Sequence, residues 1–387
     1  MKLANRMSRL GTETAFVVLA KAKEIEKKGV EVIHLEIGEP DFDTPKNIID
    51  EAINALNNHW THYGPSAGLP EFRQTIAEHV SSSRGIKVGS ENVVVTPGAK
   101  PIMFYSILAL VNEGEEVIYP NPGFPIYESV INFIGAKPVP IKMREEKQFR
   151  LDVDELISLV SPKTRMIIIN SPQNPTGSIL TEEDLKAIAE IATKHDIYVL
   201  SDEIYSCIIY KGRHHSIASL PGMLERTIIL DGYSKTYAMT GWRLGYGIMP
   251  SGLADQVAKL QTNCTSCTAS FTQRAGMRAL KDDQSAVERM VAEFKKRREV
   301  IVEGLNKIKG IECQMPEGAF YVFPNVKKLG IKSGQLEDRI LSEAGVAVLS
   351  GTAFGAYGEG YLRLSYANSI DNILKGLSRI ADFIEKL

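Results

Sequence analysis

One lysine sits where an amine can do chemistry. The apolar run Thr227–Asp231 ends in Gly232-Tyr233 and delivers Ser234-Lys235 into a stretch rich in aromatic and apolar side chains. Partial desolvation there lowers a lysine's pKa toward the neutral amine that Schiff-base formation requires. Asp202 follows the run Ile197–Ser201, so a carboxylate stands at the C-terminal end of a buried strand, where open α/β sheets bind ligands. Such a group needs a cation or a protonated ring nitrogen as partner. Asn174-Pro175-Thr176-Gly177, after the strand ending at Asn170, is a turn that projects an amide from the same sheet edge. Thr96-Pro97-Gly98-Ala99-Lys100 reads as a strand, a small-residue turn and a helix start, which leaves backbone N–H groups free to hold an anion. Arg243, eight residues past Lys235, suits a phosphate, and Ser234 adds a hydroxyl to that clamp. Phe124 and Tyr205 supply an aromatic face and a phenol. Singly, each has an ordinary reading: a snorkelling lysine, an N-cap aspartate, a turn, an arginine on a structural carboxylate.

Together they suit one ligand. A planar ring with one phosphate, a protonatable nitrogen and an aldehyde would use them all, and pyridoxal 5'-phosphate is such a ring. The sequence holds no G-x-G-x-x-G at a strand-to-helix turn, no G-x-x-x-x-G-K-[ST] and no H-E-x-x-H. Gly232-Tyr233-Ser234-Lys235-Thr236 begins like a nucleophile elbow but has threonine where the closing glycine belongs.

The elements that must position these groups are seven β-branched runs between helix-period segments: Val93–Thr96, Glu116–Tyr119, Lys137–Ile141, Arg165–Asn170, Ile197–Ser201, Thr227–Asp231 and Leu244–Ile248. They predict an α/β fold whose large domain is a mostly parallel seven-stranded sheet with helices on both faces. Met166–Ile169 and Thr227–Leu230 are apolar without alternation, as in strands covered on both sides. From about Ser251 helical periodicity takes over, and after Gly310 the runs Ala319–Phe323 and Tyr361–Ser365 read as strands of a smaller α+β domain. The expected division is an N-terminal arm, 1–45, packing with the small domain, a large cofactor-binding domain, 46–285, and a small C-terminal domain, 286–387. Lys295-Lys296-Arg297-Arg298 reads as a solvated helix face, Phe16-Val17-Val18 as the apolar face of a docking helix, and Gly351–Gly360, with four glycines, as a flexible loop before Arg363.

Across 387 residues, 45 Lys+Arg face 47 Asp+Glu, a net charge of −2 that argues against nucleic acid as a partner. No apolar run approaches the ~18 residues of a membrane span. The stretch Ala15–Ala20 is short and runs into charge, which reads as an amphipathic helix and not a signal peptide. Four cysteines are too few for a disulfide scaffold and fit a reducing, cytoplasmic setting. The C-x-x-C of Cys264 and Cys267 lacks a second pair, and His59, His62, His214 and His215 read as loop or supporting residues, so no metal is expected.

The segment Ser234-Lys235-Thr236-Tyr237-Ala238-Met239-Thr240-Gly241-Trp242-Arg243 resembles the lysine motif of class I aminotransferases of the aspartate aminotransferase fold, fold type I. The resemblance runs nearly end to end, through Gly38-Glu39-Pro40-Asp41-Phe42, Tyr63-Gly64, Asn174-Pro175-Thr176-Gly177, Asp202-Glu203-Ile204-Tyr205 and Tyr361-Leu362-Arg363-Leu364-Ser365. It implies that Lys235 carries pyridoxal phosphate as a Schiff base and shuttles the substrate's proton. It also implies that Asp202 pairs with the ring nitrogen, Tyr205 and Asn174 bond the phenolic oxygen, and Phe124 stacks on the ring. Gly98, Ala99, Lys100, Ser234 and Arg243 would surround the phosphate. Tyr63 would reach the phosphate of the neighbouring subunit, which makes a homodimer with shared active sites the expectation. Arg363, with the Gly38 backbone and Asn174 beside it, would grip the substrate's α-carboxylate. The activity implied is transfer of an amino group between an L-amino acid and a 2-oxo acid, with glutamate and 2-oxoglutarate as one pair. A lyase or decarboxylase of the same fold would keep the same residues and stays open; a non-enzymatic effector domain is a remoter reading. The uncharged helix Pro101–Leu110 and the position of Phe16 and Val17 favour neutral or aromatic donors beside glutamate.

Overall fold

Continuous apolar runs become the central strands because both of their faces are covered. The computed structural model describes residues 1–387. Its strands are β1 (Ile33–His34), β2 (Val93–Thr96), β3 (Glu116–Asn121), β4 (Lys137–Lys142), β5 (Thr164–Asn170), β6 (Tyr198–Asp202), β7 (Thr227–Gly232), β8 (Gly245–Ile248), β9 (Tyr321–Val322), β10 (Val346–Ala347), β11 (Leu349–Ser350) and β12 (Leu362–Ser365). The large sheet has the order β2-β8-β7-β6-β5-β3-β4, and only β8 runs antiparallel to its neighbours. In β5 successive side chains serve opposite cores: Met166 and Ile168 join the helices Lys100–Leu110 and Ile126–Phe133, while Ile167 and Ile169 join Glu182–Lys194. All four are essentially buried, so truncating any of them to alanine removes about 2–5 kcal/mol.

Two of the helices carry side-chain start signals. Thr181 and Asp184 form a reciprocal capping box ahead of Glu182–Lys194. Ser369 accepts the Asn372 N–H at 3.2 Å ahead of Ile370–Ile384, whose Ile373, Leu377, Ile380 and Ile384 recur at helical spacing and are buried. That helix and the long helix Ser285–Asn306 cover a second core over the sheet β11-β12-β9 and the pair β1-β10. No helix is long and apolar enough to cross a membrane.

Three readings of the sequence change here. Lys295 and Lys296 face solvent, but Arg297 and Arg298 turn inward: Arg297 bonds Asp41 at 2.6 Å and Arg298 bonds the Pro316 carbonyl at 2.9 Å. The Arg297 bond ties the segment Gly38–Phe42 to the long helix. Val18 is buried, whereas Phe16 and Val17 are exposed. Gly351–Gly360 is not an open loop but two 3-10 turns closed by hydrogen bonds from Gly351 N–H to Tyr361 and from Gly358 N–H to Gly355, with Phe354 buried beneath. The N-terminal segment divides, with Asn5–Arg9 lying on the helix Ile126–Phe133 and β1 pairing in parallel with β10.

Candidate active site

Strand register gathers the chemistry. Asn170 lies beside Asp202, Asp202 beside Leu230, and Gly232 and Thr96 both beside Gly245, so five strand ends meet on one edge of the sheet. A cleft of about 590 Å³ opens there, and all the candidates except Gly98 and Tyr63 line it.

Lys235 stands on the short helix Tyr233–Thr236 that caps β7. Its Nζ donates to the Gly38 carbonyl at 2.6 Å and lies 5.9 Å from the Phe320 ring centre. Burial, aided by Arg363, brings its pKa down to about 8 against the opposing pull of Glu39. The amine is thus far closer to its neutral form than a surface lysine.

Asp202 is 7 % exposed, and its partners are neutral: Tyr127 Oη donates to Oδ2 at 2.5 Å and the Ile204 N–H to Oδ1 at 3.2 Å. Burial pushes its pKa up to about 6 in spite of both bonds. A protonated ring nitrogen is the kind of partner that would restore the carboxylate's charge.

The phosphate end is a helix N-terminus. The helix Lys100–Leu110 starts at Ala99 without a side-chain cap, so its first-turn N–H groups have no intrahelical acceptor. Gly98 has φ +83°, and a Cβ there would run into the Arg243 guanidinium, so glycine is needed for both the turn and the close approach. Arg243 is anchored through Nη1 to the Thr240 carbonyl at 2.8 Å, and Ser234 lines the same corner. The Lys100 ammonium turns from the helix end to pair with Glu13. These groups fit a phosphate.

Arg363 on β12 is buried in the same cleft with no carboxylate in bonding distance. Nη1 donates to Asn174 Oδ1 at 3.3 Å, Nη2 bonds the Glu36 carbonyl, and Nε has no partner. Burial holds its pKa below the ordinary arginine value. A buried guanidinium with a free N–H and no carboxylate is prepared for an anion. Tyr205 bonds the Tyr321 hydroxyl at 2.7 Å, and that hydroxyl occupies the space a Cβ on Gly38 would need. Phe124 lines the wall, its ring edge-on to Tyr127 at 5.6 Å. Tyr63 lies elsewhere, 89 % exposed in a shallow depression with Trp60 and Cys267.

Sequence reasoning missed Tyr127 and Tyr321, which hold Asp202 and Tyr205, and Glu13, which holds Lys100. The run Pro125–Phe133 gave no hint of Tyr127's role. Tyr321 sat inside an expected strand and was open to notice as a phenol beside apolar neighbours.

A desolvated amine, a carboxylate without a cation, an anion cradle and a guanidinium without an anion define the class: an enzyme built around an aldehyde-bearing, phosphorylated ring and acting on small carboxylates. The comparisons give the family. The profile described as "Aminotransferase class I and II" matches residues 30–380. An aspartate aminotransferase of Pyrococcus abyssi is 45 % identical over 90 % of this chain and 91 % of its own length. The crystal structure of an aromatic aminotransferase from Pyrococcus horikoshii superposes with a TM-score of 0.90 at 43 % identity, covering 95 % of this chain and 99 % of that one. An aspartate aminotransferase from Thermus thermophilus solved with maleate gives 0.95 at 35 % identity, covering 99 % and 100 %. The chain belongs to the class I and II aminotransferases, and is a pyridoxal-phosphate-dependent enzyme that transfers amino groups.

Proposed function

We propose that the enzyme moves the amino group of an L-amino acid to a 2-oxo acid at this cleft, with glutamate and 2-oxoglutarate as one pair. The observation that carries this reading is the placing of one buried amine with a lowered pKa, Lys235, in the same cleft as Asp202, which lacks a cation, and Arg363, which lacks an anion. When bound, the cofactor supplies an aldehyde to take the amino group and a ring to accept the electrons released at the substrate's Cα. Asp202 would hold the ring nitrogen, Asn174 and Tyr205 the phenolic oxygen, and Phe124 one ring face. Gly98, Ala99 and Lys100 through their backbone, with Ser234 and Arg243, would hold the phosphate. Arg363 orients the substrate by its α-carboxylate, with the Gly38 backbone beside it. Lys235, once its amine is free, would accept the proton from the substrate's Cα and release it to the carbon two bonds away, across the nitrogen, which a group with a pKa of about 8 does in both directions near neutral pH.

Donor choice follows from the cleft's outer wall. Phe16 and Met103 give it an apolar side that suits neutral or aromatic side chains. Lys100 is the one lining cation not already assigned, and Glu13 neutralises it, so a distal carboxylate such as glutamate's would be received in exchange for Glu13. The same reading includes the division at residues 45 and 285, a cytoplasmic setting carried by four free cysteines, and a homodimer. The dimer is supported by the exposure of Tyr63, at 89 %, and of the apolar Ile53 and Leu56.

A panel of amino acids with 2-oxoglutarate tests the activity, with glutamate measured as product. Glutamate formation from aromatic donors at least as fast as from alanine is expected; aspartate as the sole donor would overturn the donor assignment. Light scattering at the mass of one chain would overturn the dimer.

A further inference from the structure

Directly behind the cleft lies a charged cluster that the reaction does not use. Glu203 follows Asp202 at the end of β6, and Asp231 lies in β7 four residues before Lys235; they are 1 % and 5 % exposed. With Asp202, three carboxylates are packed into adjoining strand ends, and only Asp202 lines the cleft. Arg84, the last residue of the helix Pro70–Arg84, reaches between the other two. Its Nε donates to Glu203 at 2.9 Å and its Nη2 to Asp231 at 2.6 Å and to Ser206 at 2.8 Å. His214 and Ser216 close the far side of Glu203 at 2.8 and 2.6 Å. Tyr246 donates to Asp231 at 3.3 Å, and Cys207, Tyr237 and His79 are further titratable groups that face Arg84.

Burial works against the Glu203 carboxylate, yet His214, Arg84 and Ser216 hold it at about 2. Burial also works against the Arg84 charge, which Glu203 and Asp231 more than restore. Glu203 and Arg84 are therefore charged, while burial raises the Asp231 pKa against the pull of Arg84. Replacing buried ion pairs by apolar groups of similar shape is often neutral or stabilising, so stability alone is a weak reason for charges here. Two features give stronger ones. The Asp231 carboxylate accepts the N–H of Gly232 at 2.7 Å, and the Glu203 N–H donates to the Leu230 carbonyl at 2.8 Å, which fixes the backbone that leads into the Lys235 helix. One guanidinium against two carboxylates also sets the potential around the site, and both carboxylates bear on Asp202.

We propose that Arg84 is a positioning residue of the cofactor site: through Glu203 and Asp231 it fixes the turn carrying Lys235 and limits the negative field in which Lys235 and Asp202 hold their protons. The proposal rests on Lys235 being the cofactor's lysine. Loss of Arg84 leaves the field more negative and favours protonated nitrogen; loss of the Asp231 charge does the reverse.

The test is a pH titration of the visible absorbance of the pyridoxal-phosphate-loaded enzyme. Arg84→Met should move its midpoint up by about half to one pH unit, and the isosteric Asp231→Asn should move it down by about as much. The double variant, with its charge count restored, should return close to wild type although both bonds are gone. If Arg84→Met does not fold, Asp231→Asn decides alone. Midpoints unmoved, or moved in one direction by all variants, would overturn the proposal while a normal borohydride-reducible band at Lys235 leaves the site assignment intact. Absence of that band from the wild type would overturn both.

Discussion

Replacing Arg363 by lysine isolates what the guanidinium fork contributes. Arg363 is 4 % exposed, held by Asn174 at 3.3 Å and by the Glu36 carbonyl, with the Tyr321 and Phe354 rings 4.5 and 4.9 Å from its guanidinium carbon. The group is aimed and restrained before substrate arrives. A carboxylate docked on two of its N–H groups gains about 1.5–3 kcal/mol from each charge-assisted bond. Lysine keeps the charge but offers a single contact, and it leaves two buried acceptors competing for its ammonium. The expected loss is one bond plus misorientation, roughly 3 kcal/mol or ~150-fold in kcat/KM. Single-turnover bleaching of the bound cofactor's visible band, with α-amino acids and with amines lacking the carboxylate, separates the effects. Arg363→Lys should lower kcat/KM by ~10²–10³ for every α-amino acid and leave cofactor retention and the amines unchanged. A loss under about 5-fold, or an equal loss with the amines, refutes the reasoning.

Asp202→Asn should weaken cofactor retention yet stabilise the cofactor-free protein. With a folded pKa of about 6 against the ordinary 3.8, the native state binds the extra proton between those values, so wild-type stability falls as pH rises through that window. In thermal melts of the cofactor-free form, the variant's advantage should therefore grow from pH 4 to about 2–3 kcal/mol above pH 6; a constant difference contradicts it. Lys100→Met should raise KM for glutamate about 10-fold and change aromatic donors less than about 3-fold, and equal effects in steady-state kinetics would remove Lys100 from substrate recognition.

The large sheet was legible because its strands are buried on both faces and so read as unbroken apolar runs such as Met166–Ile169. The groups at their C-terminal ends, Asp202 and Lys235 above all, were legible for the same reason: a polar residue that ends an apolar run has to face something. The two-residue strands β1, β10 and β11 are too short to show any period. Partners from distant segments were also hidden. Arg84 meets Glu203 and Asp231 from 119 and 147 residues away, and Glu13 meets Lys100 from 87. Nothing local marks either contact, because helix-terminal arginines and surface lysines have the same composition whichever carboxylate they meet. Arg297 and Arg298 misled in the opposite sense, since a run of four cations gives no sign of which two the helix turns inward.

The central claim is that Lys235 is the amine on which the whole cleft is organised. Loading the purified protein with pyridoxal phosphate, reducing with borohydride and mapping the labelled peptide by mass spectrometry tests it directly. A single pyridoxyl label on Lys235, lost together with the reducible visible band in Lys235→Ala, is the predicted result. A label on another lysine, or a reducible band retained by the variant, would contradict it.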